Sequence, residues 1–186
     1  MLHNPHVVWE QKIAAARQLR THHQDQYLDR TLYWSLRLSS QLLANVLVII
    51  LDAMGKFGTT WPLFPDSRPL KDLEGIQRPT DVVTGVMAHG WFTGVFLSSD
   101  LIVGGGDLFC ELLCRSIGRV ATLAKQKGVG MPQHLIVVID NTVGWGKNQQ
   151  GLRFMAWLVM LGHFTTATLV SLMCGHTHED IVLPDA

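Results

Sequence analysis

The stretch HLIVVIDNTVGWGKNQQ, residues 134–150, carries the pattern on which the prediction of the fold depends. It begins with an apolar run from Leu135 to Ile139, which is typical of a strand buried on both faces of a sheet. The run ends in Asp140 and Asn141, and a glycine-containing loop with Lys147 follows. These polar residues form either a simple turn or a site where the strand end presents a carboxylate and an amide.

The composition limits the size and the class of the protein. A chain of 186 residues, 47% of them hydrophobic, is expected to form one domain, or one domain with an N-terminal extension. Its 15 Lys and Arg balance 15 Asp and Glu, so any contact with nucleic acid has to be local. Three cysteines are too few for a disulfide framework, which predicts a reducing, intracellular location in the nucleus or the cytoplasm.

The hydrophobic periodicity predicts an α/β fold, a mixed sheet flanked by helices. Residues 44–186 would form this domain, and residues 1–43 a helical N-terminal extension whose arginines form either a solvated face or an arm that contacts phosphates. We expect no membrane segment, because Gly162 and His163 interrupt the apolar segment 154–174 and favour a buried helix and a buried strand. The other predicted elements are a strand at 45–54, an irregular loop at 55–81, a hairpin at 82–89 and 91–98, a helix capped by Asp107, a strand at 134–140 and a helix at 149–162.

Two of the predicted strands end in an aspartate, Asp52 in the first and Asp140 in the fourth. In α/β sheets, ligands bind at the carboxyl ends of the strands, so neighbouring strands would bring the two carboxylates together. Close carboxylates share a cation or a proton, and such oxygen ligands suit Mg²⁺ or Mn²⁺. Glu179 and Asp180 follow the last predicted strand and would supply a third acid. Each aspartate taken alone is equally consistent with a turn.

The order of the elements resembles the ribonuclease H-like fold of retroviral-type integrases and DDE transposases. In those enzymes the first and fourth strands each carry an aspartate, and a third acid follows the fifth strand. Two motifs are more specifically similar to those of a transposon-associated eukaryotic domain family, DNTVGWGKN at 140–148 and GHTHEDI at 175–181. The resemblance covers about residues 40–181. It implies metal-dependent phosphodiester chemistry on DNA by a polynucleotidyl transferase or nuclease, and it leaves the oligomeric state open.

The resemblance implies roles for Asp52 and for several residues of the two motifs. Mg²⁺ or Mn²⁺ would be bound by Asp52 and Asp140. The catalytic carboxylates would be Asp52, Asp140, Glu179 and Asp180; the nucleic-acid contacts Lys147, Asn141, Asn148 and Trp145; and the residues that orient carboxylates or transfer protons His176 and His178.

Two alternatives remain open from the sequence. The family pattern has an aspartate after Ile181 where this chain has Val182, and the chain resembles a C-terminally truncated copy. The first alternative is therefore a non-catalytic remnant of the fold that binds nucleic acid or protein. The second is an unrelated metal-dependent α/β hydrolase that uses His176, His178 and Asp140.

Four smaller predictions concern individual side chains. Glu111 is expected to pair with Arg115 one helical turn later. Cys110 and Cys114 are expected to be buried thiols, and no disulfide is predicted between them. The aromatic residues Trp91, Phe154 and Trp157 are expected in the core.

Overall fold

The computed structural model describes residues 5–53, 79–99, 105–139 and 148–171. The predicted order of helices and strands is confirmed over these residues, and nearly all of the loop predicted at 55–81 lies outside them. The elements are α1 Pro5–Leu42, β1 Val46–Ala53, β2 Asp81–Ala88, β3 Phe92–Ser99, α2 Gly106–Lys127, β4 His134–Ile139, α3 Gln149–Met160 and β5 Thr166–Ser171.

The five strands form one mixed sheet in the order β3-β2-β1-β4-β5. The β1–β2 and β2–β3 pairs are antiparallel, and the β1–β4 and β4–β5 pairs are parallel. β1 is therefore the central strand, and every strand except β2 runs in the same direction. This order, with these directions and with helices on both faces, is the ribonuclease H-like fold, so the predicted fold class is confirmed.

The core consists of two layers on either side of the sheet. Alternate residues of β1 face opposite layers, since Leu47, Ile49 and Leu51 pack under α2 and α3 while Val48 and Ile50 pack under α1. All five are at most 2% exposed. Helices on both faces explain why the strand is a continuous apolar run without the alternation of a half-exposed strand.

α1 is attached to the sheet by its C-terminal third. Ser40 Oγ donates to the carbonyl of His89 at 2.9 Å, and the amide of Val48 donates to Ser40 Oγ at 3.4 Å. Tyr33 Oη lies 3.2 Å from Nε2 of the buried His89, and Leu36 packs on the apolar layer beneath. With 38 residues, α1 is roughly 57 Å long, while the eight residues of β1 span roughly 26 Å. The helix therefore overhangs the sheet.

The start of α2 differs from the prediction. The N-cap is Gly105, whose φ of +106° suits a glycine, and Asp107 lies in the first turn without capping the helix. There its carboxylate accepts a hydrogen bond from Gln150 Nε2 and faces the positive end of the helix dipole. The other end agrees with the sequence, because Gly128 adopts the left-handed conformation of a C-cap.

Residues 154–171 are less buried than the sequence suggested. β5 pairs with β4 alone within the described residues, and its side chains are half-buried or exposed. The expected burial of Trp157 is wrong, since it is 53% exposed on the outer side of α3. Phe154 and Trp91 pack, partly buried, against the core as expected. None of the helices in the described residues has the length and apolarity needed to cross a membrane.

The predictions for α2 are mixed. The Glu111–Arg115 ion pair is confirmed, with Arg115 Nε 2.6 Å from Glu111 Oε1. Both cysteines are free thiols as expected, but Cys110 is only half-buried and Cys114 is exposed. The buried face of α2 instead consists of other residues, namely Gly106, Leu108, Phe109, Leu112, Leu113, Ser116, Val120 and Ala124. The spacing of four residues placed both cysteines on one helical face, and that face is turned partly to solvent.

Candidate functional site

Asp52 is the predicted metal ligand that the structure describes. It is the penultimate residue of β1 and is half-buried. Its partner in β2 is Gly85, so the neighbouring position on that strand carries no side chain that could crowd the carboxylate. Because strand side chains alternate, Asp52 is directed to the same side of the sheet as Ile50, the side on which α1 packs.

The parallel pairing of β1 with β4 sets the neighbourhood of Asp52. The register runs from Val46 opposite His134 to Leu51 opposite Ile139. Asp52 is therefore one residue beyond the last paired position of β1. Asp140, the next residue of the chain after Ile139, lies outside the described residues.

Four strands end at the edge that Asp52 occupies. Since β1, β3, β4 and β5 run in the same direction, their carboxyl ends lie along one edge of the sheet. α2 follows β3 and α3 follows β4 in the chain, so both helices begin after a strand that ends at this edge. The N-terminus of a helix carries unpaired amide groups and partial positive charge, which favours anionic groups nearby.

The first turns of α2 and α3 are packed against each other. Gln150 Nε2 donates to Asp107 Oδ1, and Asn148 Oδ1 caps α3 by accepting the amide of Gly151 at 2.8 Å. Glycine at position 106 leaves room for this approach, because a Cβ atom there would lie 2.7 Å from Asn148 Nδ2 and that side chain would have to shift. The N-termini of α2 and α3 therefore lie side by side.

Negative charge accumulates at the start of α2. Burial, the Asp107 carboxylate and the neighbouring thiol of Cys114 raise the pKa of Cys110. Burial and the Glu111 carboxylate raise the pKa of Cys114.

Two of the predicted site residues fall within the described part of the chain, Asp52 and Asn148. Asp52 is at the strand end as expected, and Asn148, predicted to contact nucleic acid or to fix its loop, caps α3. The residues of the site prediction that lie outside the described ranges are Asp140, Asn141, Trp145, Lys147, His176, His178, Glu179 and Asp180. Within those ranges there is no cluster of three or more His, Cys, Asp or Glu that could hold a metal ion.

Sequence reasoning missed two buried polar side chains. Thr84, opposite Ala53 in β2, is 1% exposed, and its hydroxyl has no hydrogen-bond partner among the described residues. Threonine is common in strands, so the sequence held no signal for it. His89 is 4% exposed and bonds Tyr33, but it lies near the start of β1, at the end of the sheet remote from Asp52.

Comparisons with known proteins give one family and one distant structure. Residues 71–182 match the family model described as Domain of unknown function (DUF7869). A solved structure described as "Crystal structure of the Mos1 Strand Transfer Complex" is similar at 10% identity and a TM-score of 0.40. That alignment covers 80% of this chain and 41% of the other, so this chain spans less than half of that protein.

The family model covers β2 to β5 and both sequence motifs, whereas α1 and β1 precede it. A comparison with curated proteins gave no match. Because the model covers more than half of the sequence, the chain belongs to the family of the DUF7869 domain.

Proposed function

We propose that the carboxyl edge of the sheet is the active site of a DDE-type, integrase- or transposase-like domain that performs metal-dependent phosphodiester chemistry on DNA. The observation that carries the proposal is the parallel register of β1 and β4, in which Leu51 lies opposite Ile139. If the register continued by one residue, Asp140 would stand beside Asp52. Neighbouring strands are about 4.8 Å apart, which is within reach of one shared ion.

The two carboxylates would also point to one side of the sheet. Ile50 and Val138 belong to the same apolar layer, and Asp52 and Asp140 follow each of them by two positions. Two carboxylates held this close repel each other unless a cation lies between them. Their hard oxygen donors fit Mg²⁺ or Mn²⁺, and Asp52 is half-buried at the strand end.

The remaining roles are those that the resemblance of the two motifs implies. Mg²⁺ or Mn²⁺ held by Asp52 and Asp140 would supply charge stabilisation for the reacting phosphodiester. Lys147, in the loop that follows Asp140, would bind a flanking phosphate as a point charge, and Trp145 would stack on a base. Glu179 or Asp180 would provide the third carboxylate. His176 and His178 would orient the carboxylates or move a proton.

A second candidate is a nucleic-acid-binding domain without catalysis. It is favoured by Val182, which replaces the acid that follows Ile181 in the family pattern. In both candidates we assign the ribonuclease H-like domain to residues 44–186 and the helical extension to residues 1–43.

The test is a calorimetric titration of the full chain with Mn²⁺. We expect binding that is abolished in both D52N and D140N. E10Q, which removes one carboxylate from the exposed surface of α1, is the matched control and should bind as the unaltered chain does. Retained binding in both aspartate variants would refute the two-aspartate site. Metal binding without cleavage of DNA would select the second candidate.

A further inference from the structure

α1 has one side that faces the sheet and one that faces away from it. The side that faces the sheet carries Tyr33, Leu36 and Ser40, which form the contacts with the apolar layer and with His89. At about 100° per residue, the opposite side is centred on a line through Trp9 and Tyr27. We call this strip the outward face of α1.

Large aromatic side chains recur along the outward face. Trp9 is 64% exposed, Tyr27 is 72% exposed and Trp34 is 51% exposed. From Trp9 to Trp34 the strip is roughly 38 Å long at 1.5 Å per residue. Aromatic residues in such exposed positions are costly for a surface that contacts only water.

The charges of α1 are segregated around the same strip. The five cations of the helix all lie within about 80° of its centre line, and the three carboxylates lie about 100° or more away. The cations are Lys12, Arg17, Arg20, Arg30 and Arg37, and the carboxylates are Glu10, Asp25 and Asp29. Because the whole chain has no net charge, this face is a local concentration of positive charge.

Cations and aromatic rings also contact each other on this face. The guanidinium carbon of Arg37 lies 5.0 Å from the centre of the Trp34 ring, so that charge and ring are already combined in one surface. A pocket lies against part of the strip, and its lining includes Ala16, Arg20, His23 and Tyr27. The half-buried Asp25 also contributes to its lining, as the one carboxylate there among the described residues.

A second copy of α1 is a poor match for this face. A helical seam at heptad spacing through Trp9, Ile13 and Ala16 continues through Arg20, His23, Tyr27 and Arg30. A coiled coil needs apolar residues at these positions, and pairing two such seams would bring like charges together. A polyanion with flat unpaired bases matches both the cations and the rings.

We propose that the outward face of α1 binds single-stranded nucleic acid, with its cations on the phosphates and Trp9, Tyr27 and Trp34 stacked on bases. The inference goes beyond the proposed function because this binding needs neither metal nor cleavage.

The test is the fluorescence anisotropy of a labelled single-stranded oligonucleotide with the full chain in EDTA, which removes any contribution of a metal site. The double variant R17Q/R20Q should weaken binding and lower the slope of log K against log salt by about 1.4, since each phosphate contact on a single strand contributes about 0.7. W9A and Y27A should each weaken binding about five-fold or more through lost stacking.

K125Q/R153Q is the matched control, because it removes the same charge from exposed positions on α2 and α3. It should leave the affinity and the salt slope unchanged. Equal losses in both double variants, or tighter binding of the duplex form of the oligonucleotide, would overturn the proposal. So would a dimer that R17Q/R20Q dissociates in sedimentation. The two proposals can fail separately. If D52N lost Mn²⁺ binding but bound the oligonucleotide normally, both the metal site and the independent role of α1 would be supported.

Discussion

The attachment of α1 to the sheet can be tested by removing one side-chain oxygen atom. S40A removes a hydroxyl that is 8% exposed and that joins the helix to both β1 and the residue after β2. Its bond to the His89 carbonyl has ordinary length and should contribute about 1 kcal/mol, while the 3.4 Å bond from Val48 contributes less. S40A also leaves the His89 carbonyl without this donor, and an unpaired buried carbonyl costs about 1 kcal/mol more.

The higher helix propensity of alanine offsets roughly 0.4 kcal/mol of this loss. We therefore expect S40A to lower the free energy of unfolding by about 1.5 to 2 kcal/mol, measured by urea denaturation followed by tryptophan fluorescence. S39A is the matched control, because Ser39 Oγ bonds the helix carbonyl of Ser35 and no other group among the described residues, and it should change stability by less than about 0.5 kcal/mol. If the two variants were equally stable, the docking of α1 on the sheet would be refuted.

Four further outcomes are expected. F109A, at a fully buried position, should cost about 3 to 5 kcal/mol in the same denaturation assay, whereas W157A should cost less than about 1 kcal/mol because its ring is half exposed. G128A should cost about 1 kcal/mol by thermal denaturation, since position 128 has a φ of +67°. E111Q should change stability by less than about 0.5 kcal/mol, because the ion pair is exposed. The same change should lower the raised pKa of Cys114 towards 9.0, so its alkylation by iodoacetamide at pH 8.5 should become faster; an unchanged rate would contradict the proposed effect of the carboxylate.

The fold could be read from the sequence because its strongest signals are local. The apolar runs of β1 and β4 predict strands covered on both faces, and Gly128 marks the end of α2 through its backbone conformation. Exposure was harder to predict, since it depends on partners that are distant in the sequence. The apolar composition of β5 did not indicate an edge position, and helical spacing did not show which way Trp157 points.

For the candidate site, the sequence predicted residue types and an edge of the sheet. The structure places Asp52 at that edge. The register of β1 with β4 could not be predicted, because it depends on pairing between strands that are distant in the sequence. The role of Asn148 as a helix cap could have been inferred from its place before Gln149 and Gly151, since asparagine is a preferred N-cap. The buried hydroxyl of Thr84, which has no partner in the part of the chain that the structure describes, could not have been inferred from the sequence, because its burial depends on strand pairing.

The central position of β1 limits how far the domain can be truncated from its N-terminal side. The family match begins at residue 71, after β1, yet β1 is the strand that joins the β2–β3 hairpin to the β4–β5 pair. A fragment limited to residues 71–182 would consist of two half-sheets whose shared neighbour is missing, each with an unprotected inner edge. The smallest autonomous folding unit must therefore reach upstream of the family boundary, at least to Val46.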